Sequence, residues 1–201
     1  MRLFYSLASP FVRRVMVTAL ELGIEDRIEK VEITTTPVNP DPKLKDANPI
    51  RKIPALETDD GLLLYDSSVI TEYLDVLGGA RLLPASGNPR WTVKRQEALG
   101  AGLLDAAVLV RYETFIRPEH KRWDGWIDAQ IGKIDGALAQ MNEDVAGFDE
   151  AATLGQIAYG CACGYLDFRF AEMGWRDDHP ALATWYETFA KRPSMTATSP
   201  I

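Results

Sequence analysis

A change of pattern close to residue 88 divides this 201-residue chain into two unlike parts. Before it, short apolar runs alternate with helical periodicities; from Asn88-Pro89 onward no segment reads as a convincing strand. Strands that alternate with helices belong in an α/β unit with mixed or parallel strands, whereas helices alone must bury their apolar stripes against one another. Gly78 through Asn88 carries Gly, Pro and Ser with little periodicity and marks the junction. The expected fold class is α/β plus all-α, with residues 1–78 in the first domain, 79–88 as linker and 89–201 in a helical bundle.

In the first part the strand candidates are Leu3 to Tyr5, Ile28 to Ile33, Ala55 to Thr58 and Leu62 to Tyr65. Asp59-Asp60-Gly61 is a turn whose glycine can take positive φ, so the last two should form an antiparallel hairpin. Ser9-Pro10 opens the first helix, Ser covering free N–H groups and Pro having none to lose, and the helix should end near Gly23. Asp66-Ser67-Ser68 caps a second helix, in which Val69, Ile70, Tyr73, Leu74 and Leu77 recur at helical spacing before Gly78-Gly79.

In the second part Asn88 is the expected cap and Pro89 the first residue of a long helix running towards Pro118, followed by a helix over roughly Arg122 to Glu143. Thr153-Leu154-Gly155-Gln156 has the form of a capping box, with Ala152 and Ile157 as a hydrophobic staple. The helix behind it carries Ile157, Cys161, Leu166 and Phe170 among small residues, is apolar on most sides, and suits the centre of the bundle. A last helix covers about Pro180 to Lys191.

With 46% hydrophobic and 25% charged residues the chain is an ordinary globular one. Its net charge of -7 and scattered Lys and Arg argue against nucleic acid as a partner. No apolar run is long enough to span a bilayer and Met1 to Tyr5 already read as strand, so a cytoplasmic location and no membrane partner are expected. Cys161 and Cys163, two apart on a helix, point to different faces; they should be small buried thiols that do not pair. His120 and His179 lie in separate polar segments without ligand spacing, so no metal is expected.

Three segments of the first part could hold a small anionic molecule. Ser9-Pro10-Phe11-Val12-Arg13-Arg14 sets a hydroxyl between the first strand and the positive end of the first helix, where a thiolate would be stabilised. Its plainer reading is a helix cap; Tyr5 is an alternative hydroxyl, with core packing as its plainer reading. In Asn48-Pro49-Ile50-Arg51-Lys52-Ile53-Pro54-Ala55-Leu56, a cis bond before Pro54 would leave the Ile53 N–H and C=O free to pair with an extended peptide, whereas a trans bond would simply lead into an edge strand. Asp66-Ser67 can receive a carboxylate and attract an amino group, or be only an N-cap pair.

Taken in order, Ser-Pro-Phe-Val, Asn-Pro-x-x-Lys-x-Pro-x-Leu, and Asp-Ser ahead of Ile-x-Glu-Tyr-Leu resemble the glutathione S-transferase family. Pro180-x-Leu182-x-x-Trp185 followed by Arg192-Pro193-Ser194 is similar to that family's closing helix, so the resemblance covers nearly the whole chain. It implies a thioredoxin-like N-terminal domain and a helical C-terminal domain. Ser9 would hydrogen-bond the glutathione sulfur, Ile53 before Pro54 would pair with the cysteinyl main chain, Ser67 and Asp66 would hold the γ-glutamyl end, and Lys52 would face the glycyl carboxylate. The start is most similar to serine-type tau and related bacterial members.

Asp66 stands where many members have Glu, and the stretch before Asn48 lacks a lysine that tau members often use. Leu7-Ala8-Ser9 replaces the Ser-Ser-Cys start of zeta-type isomerases, so that activity is not assigned.

The resemblance further implies a homodimer in which a glutathione thiolate attacks a hydrophobic electrophile or a peroxide between the domains. Phe11, Arg111, Tyr112 and Phe115 are candidates for the second-substrate wall, their plainer reading being core packing or surface charge. A non-catalytic glutathione-binding or protein-interaction module is the alternative, since one fold serves many functions. A cysteine-dependent reductase is disfavoured, because the N-terminal domain has no cysteine.

Overall fold

The computed structural model describes residues 1–200. Four short strands, β1 (Arg2–Tyr5), β2 (Glu29–Glu32), β3 (Ala55–Glu57) and β4 (Leu63–Leu64), form one mixed sheet in the order β2-β1-β3-β4. β1 runs parallel to β2, with Arg2 opposite Glu29, and antiparallel to β3, with Phe4 opposite Ala55. β3 and β4 are the expected antiparallel hairpin. Alternation along β1 sends Leu3 and Phe4 to opposite faces. Leu3 meets the apolar sides of α1 (Pro10–Leu22) and α3 (Ser67–Leu77), while Phe4 packs with Ile33, Leu44, Ala47 and Ala55 in a smaller core. Leu44 and Ala47 belong to α2 (Leu44–Ala47), a single turn too short to carry a periodicity and unassigned by the sequence reading.

The remainder is helical: α4 (Gly87–Arg111), α5 (Asp124–Asp144), α6 (Leu154–Arg169), α7 (Trp175–Asp178), α8 (Pro180–Phe189) and α9 (Pro193–Thr196). The first domain is thioredoxin-like and the second a helical bundle. Every residue of α6 from Leu154 to Leu166 is buried, as its all-round apolarity requires, and the helix lies between α4 and α1. Small residues permit this: a Cβ at Gly100 would stand 2.9 Å from the Ala158 Cβ and 3.0 Å from its backbone carbon. Cys161 and Cys163 are buried free thiols.

Several local expectations are corrected. α4 begins at Gly87 after Ser86, one residue before the expected Asn88 cap, and Pro89 sits within the first turn, where its missing N–H costs nothing. Regular α-helix stops at Arg111 instead of running towards Pro118; Tyr112–Ile116 form a wider turn closed by Arg117 N–H donating to Tyr112 O at 3.0 Å. α5 begins at Asp124 rather than Arg122 because Glu113 holds the Trp123 N–H at 3.0 Å and fixes the entry. The capping box before α6 is half formed: Thr153 Oγ1 accepts from Gln156 N–H at 3.2 Å, but the Gln156 amide donates to Asp149 O at 3.1 Å. α8 stops at Phe189, short of Lys191, and the chain turns into α9 at Pro193.

The junction between the two parts is ordered by one carboxylate. Asp75, 2% exposed on the last turn of α3, accepts from the N–H groups of Arg81 at 2.9 Å, Leu82 at 2.8 Å and Leu83 at 3.1 Å. Leu82 O in turn accepts from Leu154 N–H at 3.0 Å, tying the junction to α6. Asp75→Ala would strand these donors, at a cost of about 3 kcal/mol. Urea unfolding should read that loss, with Asp75→Asn intermediate because its amide keeps only one oxygen.

Candidate functional site

The three polar segments meet where β1 ends and α1 and α3 begin. Ser9 follows β1 in extended conformation (φ -83, ψ 119), and its Oγ accepts the Val12 N–H at 3.3 Å. The plain cap is therefore real, yet it uses only an oxygen lone pair and leaves the Ser9 O–H free to donate. Tyr5 ends β1 on the side of Leu3, with Lys30 Nζ 5.3 Å from its ring centre. Burial, aided by Glu32, pushes its phenol above the usual range.

The second segment is a stapled turn. Asn48, 1% exposed, accepts the Ile50 N–H on Oδ1 at 3.1 Å and donates from Nδ2 to Lys52 O at 2.9 Å, while Arg51 N–H donates to Asn48 O at 2.8 Å. These bonds close the loop so tightly that Arg51 adopts a positive φ of 52°. The Ile53-Pro54 bond is cis. Among the described residues no hydrogen bond within the chain uses the Ile53 N–H or C=O. Since Ala55 pairs with Phe4, Ile53 lies just beyond that ladder, beside the segment leading to Ser9. Lys52 is exposed.

At the start of α3, Asp66 Oδ1 accepts the Ser68 N–H at 3.0 Å. Ser67 is 2% exposed, and its Oγ accepts from Arg14 Nη1 at 3.3 Å, which turns its own O–H away from the guanidinium. Arg14, 1% exposed, reaches Glu97 of α4 through Nη2 at 3.1 Å. Lys94 Nζ lies 3.0 Å from Glu97 and 3.0 Å from Glu72, which also pairs with Arg90. A chain of ions thus runs from Ser67 through the domain interface to the surface.

The helical domain closes the site over Ser9 with α6. A small cavity is lined by Ser9, Pro10, Arg13, Cys161, Tyr165 and Pro200 among others. Arg13, 8% exposed, donates to Met195 O at 3.1 Å and Thr198 Oγ1 at 3.4 Å, and among the described residues no carboxylate pairs with it. Gly164 makes room for it, since a Cβ there would collide with Arg13 Nη1 and lie 2.9 Å from the Tyr186 hydroxyl. The Tyr165 phenol is pushed up to about 12, chiefly by burial, with Arg169 and Arg111 opposing and Tyr112 reinforcing. Burial also pushes the Cys161 thiol up, against the pull of Arg13 and Arg14.

Arg111 and Tyr112 are half-buried and close to Tyr165; burial raises the Tyr112 phenol as well. Phe115 is 67% exposed with the Arg111 guanidinium 3.7 Å from its ring centre, so it stands outside the cavity beside Ser9. Phe11 is half-buried against the main core. Three residues escaped sequence reasoning. Arg13 and Tyr165 lie on helix faces readable only as core, though the small residues around Cys161 signal a close approach. Asp105 of α4 keeps contact with solvent, yet surrounding protein pushes its carboxyl up; Lys52 and Arg14 pull against this and Asp66 adds to it, which places Asp105 near the α3 start.

Comparison with known proteins decides the family. Residues 8–77 match the glutathione S-transferase N-terminal domain and residues 124–188 the C-terminal domain. The chain belongs to the glutathione S-transferase family. It is 33% identical over its whole length, and 98% of the relative's, to the uncharacterized GST-like protein YibF of Escherichia coli K12. A glutathione transferase family member from Pseudomonas fluorescens Pf-5, solved with bound glutathione, shares 44% identity with a TM-score of 0.94 over 100% of this chain and 98% of that one. A structure from the same organism with bound S-(propanoic acid)-glutathione shares 42% identity with a TM-score of 0.90, over 100% and 99%.

The ion chain makes a prediction for this glutathione S-transferase fold. Glu97→Leu leaves Arg14 buried with only Ser67 as partner and should cost about 3–5 kcal/mol. The double variant Arg14→Met, Glu97→Leu should recover much of that loss in urea unfolding, because an apolar pair removes both charges together.

Proposed function

We propose that this protein is a glutathione transferase of the serine type, similar to tau and related bacterial members, with Ser9 acting on the sulfur. The observation that carries the reading is Ser9 itself: a hydroxyl with a free donor at the N-terminus of α1, beside unpaired Ile53 main-chain groups and the Ser67 hydroxyl. The absence of cysteine before residue 161 favours an oxygen over a thiol in this role. We assign Ile53, ahead of Pro54, to the cysteinyl main chain of glutathione, Ser67 and Asp66 to its γ-glutamyl end, and Lys52 to its glycyl carboxylate. The reading takes residues 1–78 as the glutathione domain, 79–88 as linker and 89–201 as the helical domain, acting as a cytoplasmic homodimer. Among the described residues no helix is long and apolar enough to cross a membrane.

A free thiol titrates near 8.5, so only a few per cent is thiolate at neutral pH, and the thiolate is the nucleophile. The Ser9 O–H and the α1 N–H groups stabilise the sulfur anion. That anion forms a bond to the electrophilic carbon. A leaving group there departs with its bonding pair; on a conjugated double bond the π pair moves to the neighbouring carbon, which takes a proton. Tyr5 is the second suspect, ranked lower because it faces Lys30 and Glu32 on β2. The S-(propanoic acid)-glutathione bound in the Pseudomonas structure is of the kind that transfer to carbon produces, and supports a site with room for a substituent on the sulfur.

Ser9→Ala should weaken glutathione binding little, raise the pKa of the bound thiol by about one unit, and cut the neutral rate about tenfold. Because the reactive form is the deprotonated one, the rising limb of the pH-rate curve should move to higher pH. An unchanged rate and profile in folded Ser9→Ala would reduce Ser9 to a cap and make Tyr5→Phe the next variant. Calorimetry with millimolar glutathione tests binding itself; binding without turnover of any electrophile or peroxide would favour the interaction module. Sedimentation should give a dimer, and a 22.4 kDa species at every micromolar concentration would contradict it.

A further inference from the structure

Two arginines lie near Tyr165, the α6 residue that lines the cavity beside Ser9, one at the end of α6 and one at the end of α4. Arg169 ends α6 one turn beyond Tyr165 on the same side of the helix, so it stands over the residue that lines the cavity beside Ser9. Arg111 ends α4, where the chain widens into the Tyr112–Ile116 turn. Each guanidinium lies over an aromatic neighbour: Arg169 is 3.8 Å from the Phe168 ring centre and Arg111 is 3.7 Å from that of Phe115. A contact of this kind restrains a guanidinium without using up its N–H donors.

Neither arginine has a carboxylate partner among the described residues. Asp167 is held by Arg176 at 2.6 Å on both oxygens and Glu113 by Arg117 at 2.7 Å and the Trp123 N–H, and the exposed Glu172, three residues beyond Arg169, does not pair with it. Apart from Arg13, every other lysine or arginine without a carboxylate partner among the described residues is exposed, so two half-buried arginines left open beside one cavity call for an anion from outside. Tyr165 lines the cavity and the half-buried Tyr112 lies near it, and each phenol can donate a hydrogen bond.

We infer that the second substrate of this cleft is an electrophile bearing a carboxylate, bound by the edges of Arg111 and Arg169 while its reactive carbon faces Ser9. This rests on the glutathione reading above and deepens it, replacing the plain hydrophobic electrophile with an amphipathic acid. The apolar body of such a molecule lies against Tyr112 and Tyr165, and its charge reaches the rim.

Calorimetry with two S-substituted glutathiones separates the possibilities without relying on turnover. S-(3-carboxypropyl)glutathione and S-butylglutathione share their peptide and differ at the chain end by a carboxylate. The acid should bind about tenfold more tightly, the gain of one charge-assisted contact. The gap should shrink with added salt, and in the Arg111→Gln, Arg169→Gln double variant the acid should fall to the affinity of the butyl conjugate. Equal affinities in the parent protein, or a gap that survives in the folded double variant, would overturn the inference. If glutathione and both conjugates fail to bind at millimolar concentration, the glutathione reading itself is lost and this inference with it.

Discussion

A guanidinium buried to 1% exposure governs how the two halves of this molecule fit together. Arg14 comes from α1, its partners Ser67 and Glu97 from α3 and α4, and none of the three elements can shift without stranding a charge. Burying an ion pair contributes little net stability compared with apolar residues of the same shape. What it supplies is register: a misplaced α4 would leave Arg14 facing a hydrocarbon wall. The same guanidinium fixes the direction of the Ser67 hydroxyl, so the contact that aligns the domains also shapes the candidate γ-glutamyl site.

Much of the first domain was legible because its signals are local. Ser9-Pro10, Asp59-Asp60-Gly61 and Asp66-Ser67 each satisfy a backbone requirement within four residues, and each acts in the structure as the sequence implies. The geometry of Ile53-Pro54 was readable only as a conditional, since both isomers fit the same residues. In the helical domain the pattern gave the helices but not their ends. Asn88 and Ser86 are equally good caps by type, and what starts α4 at Gly87 is a backbone turn with φ 74 that periodicity cannot express.

The residues missed at the site share one physical cause. Arg13, Tyr165 and Asp105 act across the domain interface, and their neighbours lie far away in sequence. Arg13 bonds to Met195 and Thr198, and a sequence window around it shows only an amphipathic helix. Tyr165 on a wholly buried helix reads as core, which it is; its role follows from lying opposite Ser9. A run of small residues through Gly164 was the one available hint, because a helix stripped of side chains must be making room for something.

Charge is distributed unevenly between the site and the rest of the molecule. Net charge of -7 would seem to repel glutathione, itself anionic, yet the field at a site is set by charges within about 8 Å at physiological salt. Around Tyr165 and Ser9 three guanidiniums have no carboxylate partner among the described residues, Arg13 lining the cavity and Arg111 and Arg169 near Tyr165. Three acids close to them are committed elsewhere, Glu97 to Arg14 and Lys94, Asp167 to Arg176, Glu113 to Arg117. Each such pairing removes an acid that could otherwise neutralise a cation of the site. The ion pairs of the scaffold therefore serve the site indirectly, by leaving its arginines without carboxylate partners among the described residues.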